Sequence, residues 1–202
     1  VMNLTSITEI KEFTYKHFID SIALEKIVKD LGSNNYNIAD LGTGAGFPGI
    51  PLAIVCPNLN LTLIDSLNKR IKFIKETCDI LDIENVNAIH SRAEDIDRNK
   101  DYREKFDICV SRAVANLASL SEYCLPLVKI GGSFISYKSK GYEVEIVEAQ
   151  KAIKVLGGET GNIEKFELGE YGERILLDIK KIKSTPNKYP RKAGLPTKEP
   201  IK

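Results

Sequence analysis

The sequence predicts an α/β fold: a doubly wound, seven-stranded, Rossmann-like sheet preceded by N-terminal helices. Three observations carry this expectation. From Asn37 onward, short apolar runs alternate with helix-period patterns. The first apolar run empties into a glycine-rich turn that opens a helix. The alternation closes on two late strands joined through Gly169 and Gly172, which read as an antiparallel hairpin.

The elements follow in order. Ile10, Phe13, His17 and Phe18 recur at helical spacing, as do Ile22, Leu24, Ile27, Val28 and Leu31, so two helices are expected within residues 1–35. The chain opens at Val1 and Met2 without a leading cap, and a further helical segment is expected ahead of it. Residues 36–41 form the first strand and Gly42-Thr43-Gly44-Ala45-Gly46 the turn. A helix over 48–55 follows, with Pro48 in its first turn and Pro57 as its stop. Residues 61–65 are the second strand. Ser66 is the expected cap of a helix carrying Leu67, Ile71, Ile74, Cys78 and Leu81. Val86–His90 is the third strand. Residues 106–111 are the fourth, a nearly continuous apolar run suited to burial on both faces. A helix over 117–128, a turn at Gly131-Gly132, a strand over 133–137 and a helix over 143–156 come next, then strands over 163–168 and 174–182. This gives a helical segment over 1–35, a sheet domain over 36–183 and a basic, proline-rich arm over 184–202.

With 202 residues, 43% hydrophobic and 28% charged, the chain supports one sizeable core. No apolar run approaches the ~20 residues that span a bilayer, and no signal-peptide pattern opens the chain. A cytoplasmic protein without a membrane partner is expected. Cys56, Cys78, Cys109 and Cys124 are scattered, as buried thiols of a reduced compartment are. Two histidines, His17 and His90, argue against a histidine-rich metal site. The net charge of +1 hides an asymmetry: Lys180 to Lys202 carry +7 and the rest of the chain −6. A basic tail on an acidic body suits a polyanionic partner such as nucleic acid, or it is a solvated tail that aids solubility.

The turn after the first strand has G-x-G-x-G spacing, not the G-x-G-x-x-G of dinucleotide enzymes. Those enzymes aim a helix N-terminus at a pyrophosphate. S-adenosylmethionine has no phosphate, so the loop need only pack against its methionine and ribose portions. Asp65, ending the second strand, can accept ribose hydroxyls or cap the next helix. Ala93-Glu94-Asp95 follow the third strand, where an acidic residue can accept the adenine amino group. Acting together, Gly42, Gly44, Gly46, Asp65, Ala93 and Glu94 favour S-adenosylmethionine over a nicotinamide cofactor.

The fourth strand ends in Ser111-Arg112-Ala113-Val114-Ala115-Asn116. The Asp/Asn-Pro-Pro-aromatic motif of exocyclic-amine methylation is absent there. Carbon methylation needs a cysteine nucleophile, whereas Cys109 and Cys124 sit in core patterns. The guanine N7 fits what remains, because its lone pair is free and no proton must leave before attack. Arg112 then holds guanine O6, a phosphate or the cofactor carboxylate, or it is a structural ion pair.

Gly42-Thr43-Gly44-Ala45-Gly46-Phe47-Pro48-Gly49, Asp65-Ser66-Leu67-Asn68-Lys69-Arg70 and Ser111-Arg112-Ala113-Val114-Ala115 resemble the ribosomal RNA small subunit methyltransferase G family, also called glucose-inhibited division protein B. The likeness extends to Asn3-Leu4-Thr5, to Lys16-His17-Phe18 with Asp20-Ser21, and to Tyr189-Pro190-Arg191-Lys192 with Gly194 and Pro196. It implies a class I S-adenosylmethionine-dependent methyltransferase that modifies N7 of one guanine in bacterial 16S ribosomal RNA, either free or in the 30S particle. It also implies cofactor contacts at Gly42, Phe47, Ala93, Glu94 and Arg112. Arg112 and His17 are the candidate catalytic residues. His17, Asp20 and Ser21 would lie near the substrate mouth; the plainer alternative is a core histidine and a helix cap. Lys138, Lys188, Arg191 and Lys192 are the candidate RNA contacts, with a solvated lysine the alternative for Lys138.

Overall fold

Neighbouring apolar residues such as Ile38-Ala39 and Phe134-Ile135 can both be buried only in a sheet covered on two sides. The computed structural model, which describes residues 9–112 and 115–202, contains that sheet. Asn3-Leu4-Thr5 and Ala113-Val114 of the motifs above lie outside the described residues.

The strands are β1 (Asn37–Leu41), β2 (Asn60–Asp65), β3 (Val86–His90), β4 (Phe106–Arg112), β5 (Val128–Lys138), β6 (Gly158–Glu167) and β7 (Glu173–Lys181). They lie in the order β3-β2-β1-β4-β5-β7-β6. The first five are parallel, and β7 inserts antiparallel between β5 and β6. The crossovers are α3 (Gly49–Val55), α4 (Asn68–Ile80), α5 (Ala93–Ile96), α6 (Leu117–Cys124) and α7 (Tyr142–Val155). On one face Ile38, Leu61, Leu63, Ile108 and Ile135 pack with Leu52 of α3 and Ile71 and Ile74 of α4. On the other, Ala39, Cys109 and Phe134 pack with Leu120 of α6 and Ala149 and Ile153 of α7. Each fully buried Leu, Ile or Phe contributes about 1.5–3 kcal/mol, so the two layers make the sheet a rigid platform. Strand order reverses at β1 and β4, and that switch point sets where a ligand cleft opens.

Four expectations are corrected. The N-terminal segment is one helical run, not two helices: α1 (Ile10–Phe13), a π-helical turn (Thr14–Ile19), α2 (Asp20–Ile22) and a 3₁₀ turn (Ala23–Lys26). No break falls at Asp20-Ser21, because the Asp20 carboxylate is taken by Arg112 and the Ser21 hydroxyl donates back to the His17 carbonyl. The expected second helix gives way to turns, with Asp30 at φ 56°. Ser66 does not cap α4: the N-cap position is Leu67, without a side-chain cap, and the Leu67 N–H donates to Asp65 Oδ1 at 2.9 Å. Gly131-Gly132 is not a turn before β5 but lies within it. The register with β4 jumps between Phe106 and Ile108 there, and a Cβ on Gly132 would lie 2.4 Å from the Asp107 carbonyl. Helix α6 accordingly stops at Cys124.

The fourth correction concerns the tail. Residues 184–202 do not extend into solvent. Thr185, Pro190 and Pro196 are buried, and a short helix α8 (Leu195–Lys198) forms. Arg98 Nη2 donates to the Pro190 carbonyl at 2.8 Å and Arg103 Nη2 to the Thr185 carbonyl at 2.8 Å. Hydrogen bonds from Arg98 and the half-buried Arg103 to the tail backbone hold it against the body of the fold.

Candidate functional site

A cleft of ≈ 780 Å³ opens over the carboxyl ends of β1, β2, β3 and β4. Its floor is the glycine loop. Gly44 has φ 63°, and a Cβ there would meet nothing within 4 Å, so the loop backbone faces open cleft. Two carboxylates fix that loop. Asp40 Oδ2 accepts from Thr43 Oγ1 at 2.6 Å and from Gly49 N at 2.9 Å. Gly49 has no room for a side chain: its Cβ would lie 2.6 Å from Leu63 and 2.9 Å from Asp40. Asp65 Oδ2 accepts from Gly44 N at 3.0 Å and from Arg70 Nη1 at 3.2 Å. Burial pushes the Asp40 carboxyl up to about 6, against the hydrogen bonds from Thr43 and Gly49.

Asp65, Ala93 and Glu94 line the cleft together, so the ends of β2 and β3 deliver their acidic groups to one volume. Glu94 is nearly buried, and its Oε1 accepts from Gly194 N at 2.8 Å. Gly46 and Gly42 have φ 96° and 75° and complete the tight turn. Of the loop glycines, Gly42 and Gly44 line the cleft and Gly46 supports Ile50 behind it.

The mouth is built by Phe47, His17 and Arg112. The His17 ring stacks on Phe47 with centroids 4.7 Å apart and planes at 22°. The Arg112 guanidinium lies 5.3 Å from the same ring. Arg112 Nη1 donates to Asp20 Oδ2 at 3.0 Å and to the Lys16 carbonyl at 3.2 Å, and Nη2 lies 3.2 Å from His17 Nδ1. The structural ion pair is therefore present, and it sits in the cleft wall. Burial lowers the His17 pKa, and the Arg112 and Lys16 charges lower it further, which favours the neutral imidazole. Burial raises the Asp20 pKa and outweighs Arg112 and Arg174. Ser21 serves the fold, taking the Tyr137 hydroxyl on its carbonyl at 2.8 Å.

Several predicted RNA contacts lie elsewhere. Lys138 Nζ donates to Glu145 Oε2 at 2.6 Å and to the Ala115 carbonyl at 3.1 Å, with its side chain 11% exposed. It is neither a solvated lysine nor a displayed cation. Arg191 is clamped onto the fully buried Glu122, Nη2 to Oε2 at 2.7 Å. Lys188 and Lys192 are exposed. All four cysteines are buried and free, and burial pushes the Cys56, Cys78 and Cys124 thiols up, away from nucleophilic character.

A family model described as rRNA small subunit methyltransferase G matches residues 1–175. The chain belongs to the rRNA small subunit methyltransferase G family. The member from Desulforamulus reducens is 52% identical over 201 residues, covering 99% of this chain and 83% of that protein. The member from Alkaliphilus oremlandii is 53% identical over 205 residues, covering 100% and 84%. Among solved structures, a SAM-dependent O-methyltransferase from Thermotoga maritima superposes with TM-score 0.62 at 16% identity, covering 92% of this chain and 70% of its own. M. jannaschii TYW2 in complex with AdoMet gives 0.60 at 16%, covering 81% and 77%. These likenesses show the class I methyltransferase fold. As a member of the methyltransferase G family the chain is an enzyme, an S-adenosylmethionine-dependent methyltransferase of ribosomal RNA.

Sequence reasoning missed three parts of this cleft. Asp40 went unused, although a carboxylate three residues ahead of Thr43 was a visible loop anchor. Tyr123, an α6 core position by spacing, reaches the cleft, and its hydroxyl pairs with Thr197 Oγ1 at 3.0 Å. Ala193, Gly194 and Thr197 form one wall, which no local pattern announced.

Proposed function

We propose that the chain transfers the methyl group of S-adenosylmethionine to N7 of a single guanine in 16S ribosomal RNA, in the cytoplasm. The observation that carries this reading is the convergence of Gly44, Asp65 and Glu94 on one cleft whose mouth is the Phe47–His17–Arg112 platform. The residues fit the cofactor: the cleft has the size of a small-molecule site, the loop backbone is open at Gly44, and the acidic groups lie at two strand ends. Gly42 and Gly44 bring backbone against the ligand, Asp65 accepts ribose hydroxyls, and Glu94 accepts the adenine amino group. When bound, the cofactor supplies a methyl carbon on a sulfonium, to which N7 bonds as the carbon–sulfur bond breaks and its electron pair stays on sulfur.

The protein's part is positioning and water exclusion. N7 carries no proton, so no general base is required, in keeping with a neutral His17 already accepting from Arg112. Arg112 uses three of its five N–H groups on Asp20, Lys16 and His17, which leaves two for guanine O6, a phosphate or the cofactor carboxylate. The face of Phe47, with His17 and Arg112 beside it, suits an unstacked base. Small-subunit RNA in which the target guanosine is replaced by 7-deazaguanosine tests the assignment. It is expected to bind normally and accept no methyl group; methylation of that RNA would place the reaction on another atom.

A further inference from the structure

The tail looks in sequence like an RNA-binding arm, yet its hydrogen bonds run to the wall of the cleft. Glu122 on α6 is 0% exposed, and its carboxylate is wholly committed to Arg191. Oε1 accepts from Arg191 N at 2.7 Å and Nε at 3.0 Å, and Oε2 from Nη2 at 2.7 Å. Arg191 Nη2 also donates to the Glu199 carbonyl at 2.8 Å, closing residues 191–199 into a loop. Inside that loop, Gly194 N donates to Glu94 Oε1, Ser119 Oγ donates to the Pro196 carbonyl at 2.8 Å, and Thr197 meets the Tyr123 hydroxyl. Gly194 and Thr197 are cleft wall. A buried, bidentate arginine–carboxylate pair is a stiff anchor, and here it is joined through three residues of backbone to a group that orients Glu94.

We propose that Arg191 is a positioning residue for the cofactor: pinned to Glu122, it holds the 189–199 strap so that the Gly194 N–H fixes Glu94 in the cleft. This rests on assigning Glu94 to the adenine amino group. The strap and the cofactor then stabilise each other, because whatever favours one ordered partner favours the other. Lys188 and Lys192 of the same segment are exposed and lie outside the Arg191–Glu122 anchor.

The test compares S-adenosylhomocysteine with S-inosylhomocysteine, whose base presents an oxygen where adenine presents the amino group. Affinities are measured by titration calorimetry for the wild-type protein, Arg191→Lys and Gly194→Ala. The wild type is expected to prefer the adenosyl ligand; no preference would fail the Glu94 assignment, and this inference with it, before any variant is considered. Both variants are expected to bind the adenosyl ligand about tenfold more weakly, the loss of one hydrogen bond to a charged group. Their adenosyl preference shrinks by a similar factor, while kcat at saturating cofactor stays within about twofold of wild type. The salt dependence of ribosomal RNA binding is unchanged. Equal weakening of both ligands, or unchanged cofactor affinity with a shallower salt slope, would overturn the proposal, the latter making Arg191 a phosphate ligand. Gly194→Ala breaks no ion pair and its Cβ meets nothing within 4 Å, but Gly194 has φ 78°, so the alanine strains the backbone that aims this N–H at Glu94; it carries the test if Arg191→Lys does not fold. Limited trypsin digestion gives the reciprocal reading. S-adenosylhomocysteine slows cleavage after Lys192 if the strap is part of the site, and an unchanged rate would contradict it.

Discussion

Arg112 donates to Asp20 across 3.0 Å, and this pair joins the end of β4 to the helical run that precedes the sheet. Asp20 also lies 3.6 Å from Arg174 of β7, so one carboxylate gathers three parts of the chain at the mouth of the cleft. Removing one partner of a pair this shielded leaves an uncompensated charge. Asp20→Ala is expected to destabilise the fold by about 3 kcal/mol in chemical denaturation. The double variant Asp20→Leu/Arg112→Met is expected to recover much of that stability and none of the activity. Recovery of activity would make the pair purely structural.

Asp65 holds the Gly44 N–H, and in the proposed function its carboxylate would also take the ribose hydroxyls. Asp65→Ala is expected to weaken S-adenosylmethionine binding about a hundredfold, the equivalent of one to two hydrogen bonds to a charged group. Calorimetric titration reads this directly, and a variant that bound normally would remove Asp65 from the site.

Much of the sheet could be read from the sequence, because burial on both faces leaves apolar runs that only strands satisfy. Val86–His90 was placed to the residue, and the other strands overlap their expected spans. The glycine turn after β1 is legible because Gly42, Gly44 and Gly46 answer a local demand for positive φ. What could not be read depended on partners distant in sequence. Gly131 and Gly132 look like a turn until β4 is alongside. Ser66 looks like a cap until Asp65 is seen to reach Leu67 N. The tail looks like an extended arm because nothing local shows that Arg98, Arg103 and Glu122 wait for its backbone and for Arg191. Lys138 looked like a displayed cation for the same reason.

Gly49 is required by close approach, since its would-be Cβ lies within 3 Å of Leu63 and Asp40. Gly49→Ala is expected to cost about 1–3 kcal/mol, as overpacking does, and to weaken cofactor binding by displacing the Asp40 anchor. Thermal unfolding with and without S-adenosylhomocysteine measures both effects.

Lys181 is buried beside Glu104, with its ammonium on the Leu125 carbonyl and Thr185. Burial outweighs Glu104 and lowers its pKa from 10.5 to about 8. Between those values the unfolded chain keeps a proton that the folded chain has released. Stability from this group therefore rises with pH across that window, by at most ~1.4 kcal/mol per unit, and is lost again as pH falls through the folded value. The stability difference between wild type and Lys181→Met is expected to climb from pH 8 to pH 10. A flat difference in urea denaturation would contradict the shift.

Lys188 and Lys192 are the exposed cations of the strap. Replacing both with Ala is expected to lower the slope of log K against log salt for ribosomal RNA by about one to two, with cofactor affinity unchanged. An unaltered slope would take the strap out of the RNA interface.

The identity of the methylated product tests the proposed function most directly. Small ribosomal subunits from cells lacking the modification are incubated with the protein and methyl-labelled S-adenosylmethionine, and the RNA is digested to nucleosides. The label is expected to elute as 7-methylguanosine and to map to one position of 16S RNA. Label in any other nucleoside, or spread over many guanines, would contradict it.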